Sequence, residues 1–285
     1  MTPDTNGDMF ITMLFRTMKR LIGSTPVIRR AVTRLSYEAL SRAFDDPRLV
    51  VMNYGYAALD GDGHTIALAQ RDEWSRFSLQ LYHRVAGAID LAGKELLEIG
   101  GGRGGGADFV ARTLDPKQVV CTDISAAAMA FASRTHATTP NLSFQQADAE
   151  HLPFADATFD IVLNVESSHC YGTMERFLGE ASRVLRPGGH LLFADIRDTP
   201  QAPALEESLR HNHAGLNLLR LEDITAHVRT ALDFTTNQKE TLVATMVAPL
   251  RQMFRDQSGL PGGVVYRAFA AGERTYVCAT LVKEG

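Results

Sequence analysis

Leu96-Leu97-Glu98-Ile99-Gly100-Gly101-Gly102-Arg103-Gly104-Gly105-Gly106 is the stretch whose reading decides the fold. An apolar run carrying one carboxylate breaks into a glycine-dense turn, and helical spacing follows through Phe109-Val110-Ala111-Arg112. Glycine is required where the backbone takes positive φ or approaches a ligand closely, and the helix start beyond it offers unpaired N–H groups. The stretch therefore reads as the first strand, turn and helix of a nucleotide-type cofactor site.

Working outward, short apolar runs alternate with helix-length segments, the pattern of a parallel sheet covered on both faces. Strands are expected at Glu95 to Ile99, Gln118 to Thr122, Leu142 to Gln146, Phe159 to Val165 and His190 to Ile196. The run from Phe159 is almost wholly apolar, as a central strand buried on both faces requires. Arg186-Pro187-Gly188-Gly189 stops the helix before it and turns the chain. Beyond Asp198 helical stretches are expected at Ala204 to Leu218, Glu222 to Leu232 and Lys239 to Phe254. A hairpin of two strands, Val264 to Phe269 and Tyr276 to Val282, is expected to close the chain. The fold class expected is α/β: a doubly wound, mostly parallel, seven-stranded Rossmann-like sheet with a C-terminal antiparallel hairpin and an N-terminal helical extension.

The 285 residues suffice for one large domain with extensions. The division expected is an N-terminal helical extension or lid over 1–71 and the catalytic domain over 72–285, with a substrate-shaping insertion at about 199–260. In the extension, Phe10, Met13, Leu14, Thr17, Met18 and Leu21 fall at helical spacing, with Arg16, Lys19 and Arg20 mostly off that stripe. Two readings follow: a packed helix with a solvated basic face, or a lid that touches a membrane holding an apolar substrate. The first 48 residues hold eight Lys/Arg against five Asp/Glu, yet the chain's net charge is −4 and no stretch shows dense interleaving of basic and aromatic residues, so no nucleic-acid partner is expected. Cys121, Cys170 and Cys278 lie far apart without a CxxC pair, which points to reduced thiols in a cytoplasmic protein. His211 and His213 are two apart on a helical stretch and point to different faces, and no metal is expected.

The glycine turn satisfies two cofactor templates. Gly100-x-Gly102-x-x-Gly105 fits a dinucleotide, and Asp123, 23 residues beyond Gly100, is placed for a ribose hydroxyl in either case. The discriminating residue is Glu98. A pyrophosphate at this helix start would be repelled by a carboxylate two positions before Gly100, whereas S-adenosylmethionine carries a sulfonium and an ammonium and no phosphate. Glu-x-Gly-x-Gly-x-Gly, completed by Gly104, thus tips the reading toward methyl transfer. Asp148-Ala149 at the end of strand three is placed to bracket an adenine, with a capping role for Asp148 as the bland alternative. Asn164 and Glu166 share a face at the carboxyl edge of strand four, where open α/β sheets bind ligands.

With these motifs in view, the chain resembles the class I S-adenosylmethionine-dependent methyltransferases. The resemblance rests on Leu97-Glu98-Ile99-Gly100-Gly101-Gly102-Arg103-Gly104, on Asp123-Ile124, on Ala147 to Phe154 and on Arg183-Val184-Leu185-Arg186-Pro187-Gly188-Gly189, and covers about residues 72–198. Gln80-Leu81-Tyr82-His83-Arg84, Leu163 to Tyr171 and Ala194-Asp195-Ile196-Arg197 look like actinobacterial phthiotriolone and glycopeptidolipid O-methyltransferases. That likeness implies a hydroxyl acceptor on a lipid, polyketide or glycosylated metabolite. It also implies cofactor contacts from Gln80, Glu98, Gly100, Gly102, Gly104, Asp123, Ile124, Asp148, Ala149 and Asn164, with Gln80 at the methionine end.

Transfer to oxygen needs the acceptor aligned behind the methyl carbon and its proton removed as charge develops. His169, just past strand four, is the base expected, with an ordinary imidazole pKa; its bland role is to close the loop by a hydrogen bond. Glu166 stands as a supporting residue that holds Tyr171 or His169, or as the base itself. Arg103 and Arg197 read as surface or ion-pair residues. Competing functions are a methyltransferase-like cyclase, a C-methyltransferase, and a nicotinamide oxidoreductase disfavoured by Glu98.

Overall fold

The structure is a computed structural model that describes Glu38 and residues 46–246 and 248–285. The amphipathic segment at 10–21, and the membrane contact assigned to it, lie outside the described residues. Among the described residues no helix is long and apolar enough to cross a membrane.

Seven strands form one sheet: β1 Glu95–Ile99, β2 Gln118–Asp123, β3 Leu142–Gln146, β4 Phe159–Val165, β5 Leu185–Asp198, β6 Leu216–Asp223 and β7 Arg274–Lys283. Their order is β3-β2-β1-β4-β5-β7-β6, with β7 antiparallel to both neighbours and the other pairs parallel. The strand order reverses at β1 and β4, which places a ligand crevice at their carboxyl ends.

Each face has its own core. Helices α1 (Arg76–Ala86), α2 (Gly105–Thr113) and α3 (Ala126–Thr135) cover one face, where Tyr82, Phe109 and Met129 pack on Leu96 and Leu163. Helices α4 (Met174–Val184) and α5 (Ala202–Arg210) cover the other, where Phe177 and Leu205 pack on Leu97 and Val162. Alternate residues of β1 and β4 thus enter opposite cores, as the strand period dictates. Ser125 caps α3 by accepting from the Ala128 N–H at 3.1 Å.

Three expectations are corrected. Val264–Ala270 is helix α9, with Val265, Ala268 and Phe269 buried at helical spacing, so the chain does not close on a tight hairpin. The strand antiparallel to β7 is instead β6, within the region read as helical, and helices α6 (Thr225–Phe234), α7 (Thr236–Thr245) and α8 (Ala248–Gln257) lie between them. The single helix expected over 239–254 is two, broken where Met246 turns extended and restarted with Pro249 in the first turn, the place where a helix tolerates proline. Finally, Arg186 to Gly189 ends α4 as expected but bulges within β5 instead of leaving it, because Leu185 already pairs with Phe159.

Candidate active site

The glycine turn stands at the crevice, with Gly100, Gly102 and Gly104 at φ +74°, +56° and +80°. Side chains rarely adopt these values. Gly100 N and Gly101 N donate to Thr122 O at 2.8 and 3.0 Å, which sews the turn to β2. Asp123 at the end of β2 supports it further: Oδ2 accepts from Gly102 N at 3.0 Å and Oδ1 from Ser125 N at 2.9 Å. Burial raises the Asp123 pKa against these bonds.

Glu98 lies beneath the turn. It is fully buried, Oε1 accepts from the Tyr82 hydroxyl at 2.6 Å, and Oε2 has no hydrogen-bond partner. Burial pushes its pKa up to about 7, against the pull of the Tyr82 hydroxyl. Its charge is therefore partial near neutrality, and its bearing on a phosphate at the helix start is weaker than the sequence alone implies.

At the carboxyl edge of β4, Asn164 Nδ2 donates among Ile99 O, Ser167 Oγ and Tyr171 Oη, all within 2.9 Å. Asn164 Oδ1 is buried without a partner. A Cβ on Gly100 would collide with Ser167 Oγ and Tyr171 Oη, so the turn, β4 and the following loop close on one another here. Asp148 Oδ1 accepts from Glu150 N at 3.0 Å and caps its own turn, with Ala149 buried beside it. Glu150 in turn holds the N–H groups of Gly172 and Thr173 at 3.1 and 2.8 Å.

Gln80 is corrected. Its side chain is fully buried, donates to Tyr56 O and Gly63 O at 2.7 and 3.0 Å, and accepts from Thr65 N at 2.9 Å. The amide is thereby engaged at both ends with the segment 56–65, a strap that it pins to α1. The surface reading of Arg103 is corrected: it is 2% exposed and its guanidinium lies 3.6 Å from the centre of the Phe131 ring, a buried stacking contact.

The residue expected as base sits in a charged network. His169 Nδ1 is 2.8 Å from Asp195 Oδ1, and Asp195 Oδ2 accepts from His169 N at 2.9 Å and from the Ser168 hydroxyl. Arg197 pairs with the same carboxylate at 3.1 Å, so its ion-pair reading holds, although in a buried setting. Burial opposes ionisation of Asp195, yet His169 and Arg197 outweigh it and hold the carboxyl well below its usual range. Burial likewise works against a charged imidazole, but the Cys170 sulfur and the Asp195 carboxylate hold the His169 pKa well above the ordinary value. The ordinary pKa expected for His169 is thus corrected. An ionised Asp195 only accepts, so Nδ1 carries a hydrogen and Nε2 is the atom left to take a proton.

Glu166 holds neither Tyr171 nor His169. Its backbone is at φ +54°, and Oε2 accepts from Tyr54 N and the Tyr276 hydroxyl, both at 2.9 Å. Burial pushes its pKa to about 7. Asp195, Tyr54, Tyr276 and the half-buried Lys239 were missed from sequence. The parallel register Val165↔Ala194, which sets the ends of β4 and β5 side by side, is the signal that could have found Asp195. Among the described residues no group of three metal-ligating side chains gathers.

Set against known proteins, residues 97–193 match the family model described as methyltransferase domain. The phthiotriol/phenolphthiotriol dimycocerosates methyltransferase of Mycobacterium tuberculosis is 36% identical over 92% of this chain and 95% of its own. The chain is an S-adenosylmethionine-dependent methyltransferase. This methyltransferase is also 39% identical to the fatty-acid O-methyltransferase of Mycolicibacterium smegmatis, over 78% of this chain and 79% of that one. Among solved structures it resembles the [4+2]-cyclase SpnF (TM-score 0.66, 24% identity, 86% of this chain and 91% of that one). It also resembles the geranyl diphosphate C-methyltransferase of Streptomyces coelicolor A3(2), solved with S-adenosyl-L-homocysteine (TM-score 0.61, 15% identity, 88% of this chain and 97% of that one). At these identities the two structures speak for the Rossmann-like fold alone.

The residues present fit the cofactor. The crevice is rich in acceptors, with the orphan Asn164 Oδ1 and the carboxylates of Asp123 and Asp148, and the guanidinium of Arg103 in the turn lies on Phe131. Acceptors suit an ammonium and ribose hydroxyls, which donate; a pyrophosphate needs donors.

Proposed function

We propose that this methyltransferase transfers a methyl group to a hydroxyl on an apolar lipid, polyketide or glycosylated metabolite, with His169 as general base. The observation that carries this is the pairing of His169 Nδ1 with Asp195 at 2.8 Å, which leaves Nε2 as the basic atom. Bound S-adenosylmethionine supplies an electrophilic methyl carbon. Its holders would be the backbone of Gly100, Gly102 and Gly104, the carboxylates of Asp123 and Asp148, and Asn164, with Ile124 and Ala149 beside the adenine. Gln80 and Glu98 serve from behind, by pinning the strap and underlying the turn.

The chain's own contribution is positional and electrostatic. Asp195 fixes the imidazole and stabilises the imidazolium formed when the acceptor proton arrives at Nε2. Arg197 and Ser168 hold Asp195 in turn. The relatives named for phthiotriol lipids and for fatty acids support an apolar acceptor.

The test is turnover of His169→Gln with labelled S-adenosylmethionine and a panel of long-chain alcohols and hydroxylated acyl chains. A drop of ~10²-fold or more in kcat with S-adenosylhomocysteine affinity retained is expected. Unchanged turnover at saturating acceptor removes His169 from the role.

A further inference from the structure

Helix α7 buries one face, on which Leu242, Val243 and Met246 are 3%, 4% and 9% exposed. Lys239 belongs to that same stripe, three, four and seven residues before them, where helical spacing calls for an apolar side chain. A cation in such a place is costly unless it is paired. The one partner of its ammonium among the described residues is Ser258 O, 2.7 Å away, a neutral carbonyl just past the end of α8. Ser258 Oγ beside it is buried with no hydrogen-bond partner. Burial lowers the Lys239 pKa to about 8, against the Glu166 carboxylate, so the side chain still carries most of its charge at neutrality.

Glu166 ties this corner to the active site. Its Oε2 accepts from Tyr54 N, and the Tyr54 hydroxyl donates to Gln257 O at 3.1 Å, one residue from the carbonyl that Lys239 holds. Lys239, Ser258, Tyr54 and Glu166 therefore form one linked corner, three residues along the chain from His169 at Glu166; among the described residues it offers an ammonium hydrogen-bonded to no carboxylate, a spare Ser258 hydroxyl, and the Glu166 carboxylate, which with a pKa of about 7 is partly protonated.

We infer that Lys239, assisted by the Ser258 hydroxyl, anchors a carboxylate carried by the acceptor, remote from the hydroxyl that is methylated. This rests on the acceptor reading above: an apolar chain with a hydroxyl at His169 and an acid group at Lys239. Two ammonium hydrogens remain for carboxylate oxygens after Ser258 O is satisfied. An uncharged alcohol or ester offers that ammonium no compensating charge.

The experiment is calorimetric titration of the S-adenosylhomocysteine-saturated enzyme with dodecanoate and with dodecan-1-ol, on wild type, Lys239→Met and Lys239→Arg. Wild type should prefer dodecanoate by at least ~10-fold, K239M should lose the preference, and K239R should keep most of it. A lysine that only caps α8 would weaken both ligands alike, so a preference that survives in K239M, or is absent from wild type, overturns the assignment. In a parallel incubation with S-adenosylmethionine, formation of methyl dodecanoate and S-adenosylhomocysteine would place the carboxylate at the transfer site and overturn it too. Turnover indifferent to His169 would sink the base and leave the binding ratio standing, so the two failures are distinguishable.

Discussion

His169 and Asp195 are joined twice: the imidazole Nδ1 lies 2.8 Å from Oδ1, and the backbone N–H of the same histidine donates to Oδ2 at 2.9 Å. One carboxylate at the end of β5 thereby fixes both the ring and the peptide that carries it past the end of β4. Asp195→Asn preserves the shape but removes the charge that holds the hydrogen on Nδ1. It should lower kcat by ~10²–10⁴-fold, with S-adenosylhomocysteine affinity changed far less. Steady-state kinetics paired with calorimetry checks this, and a variant with near-normal kcat would show that the pair only closes the loop.

The same pair sets a pH profile. His169 accepts a proton only when neutral, and its pKa is held well above the ordinary imidazole value by Cys170 and Asp195 despite burial. Activity should therefore rise with pH through the neutral range, with kcat/KM growing up to tenfold per pH unit below that pKa. D195N removes charge that favours the imidazolium, so the rising limb should move to lower pH. A profile flat from pH 6 to 9 in both proteins would exclude His169 as the titrating base.

Gln80 ties α1 to the segment 56–65 through three hydrogen bonds. Gln80→Leu strips partners from Tyr56 O, Gly63 O and Thr65 N, an expected cost of ~1–3 kcal/mol. Hydrogen exchange of the amides in 56–65 should accelerate by ~10-fold or more as the strap opens locally. Unchanged exchange combined with collapsed S-adenosylhomocysteine affinity would instead restore the contact at the methionine end.

The legible parts of this chain were those encoded locally. The glycine turn, the caps at Ser125 and Asp148 and the apolar run of β4 each depend on residues within a few positions, so their spacing carried the fold and the cofactor edge. Strand β6 was hidden because its pairing with β7 slips between Leu218 and Arg220, which breaks the period-two alternation and leaves Leu219 outward at 60% exposure. Val264–Ala270 misled in the opposite sense: Val264, Val265 and Tyr266 favour strands, but burial of Val265, Ala268 and Phe269 against the sheet makes the segment a helix. Asp195, Tyr54 and Lys239 reach the site only through pairings far along the chain, 26 residues from His169 in the case of Asp195, and no short window of sequence holds both partners.

Glu98 supplies a test of stability that needs no substrate. Its pKa rises from 4.5 to about 7 on folding because burial outweighs the Tyr82 bond. Between those values the folded state holds a proton that the unfolded state has released, so this contribution is complete below pH 4.5 and is lost as pH climbs through about 7. The loss amounts to roughly 3 kcal/mol by pH 8. Glu166, raised to about 7 by its own burial, acts in the same direction. Glu98→Gln keeps an acceptor for the Tyr82 hydroxyl and removes the ionisation, so urea unfolding should show the variant falling less than wild type between pH 5 and pH 8. The variant should also be the more stable of the two at pH 8. Parallel pH dependence in both proteins would mean that Glu98 is ionised beneath the turn at neutral pH, and would return to its carboxylate the full repulsion of a phosphate at the helix start.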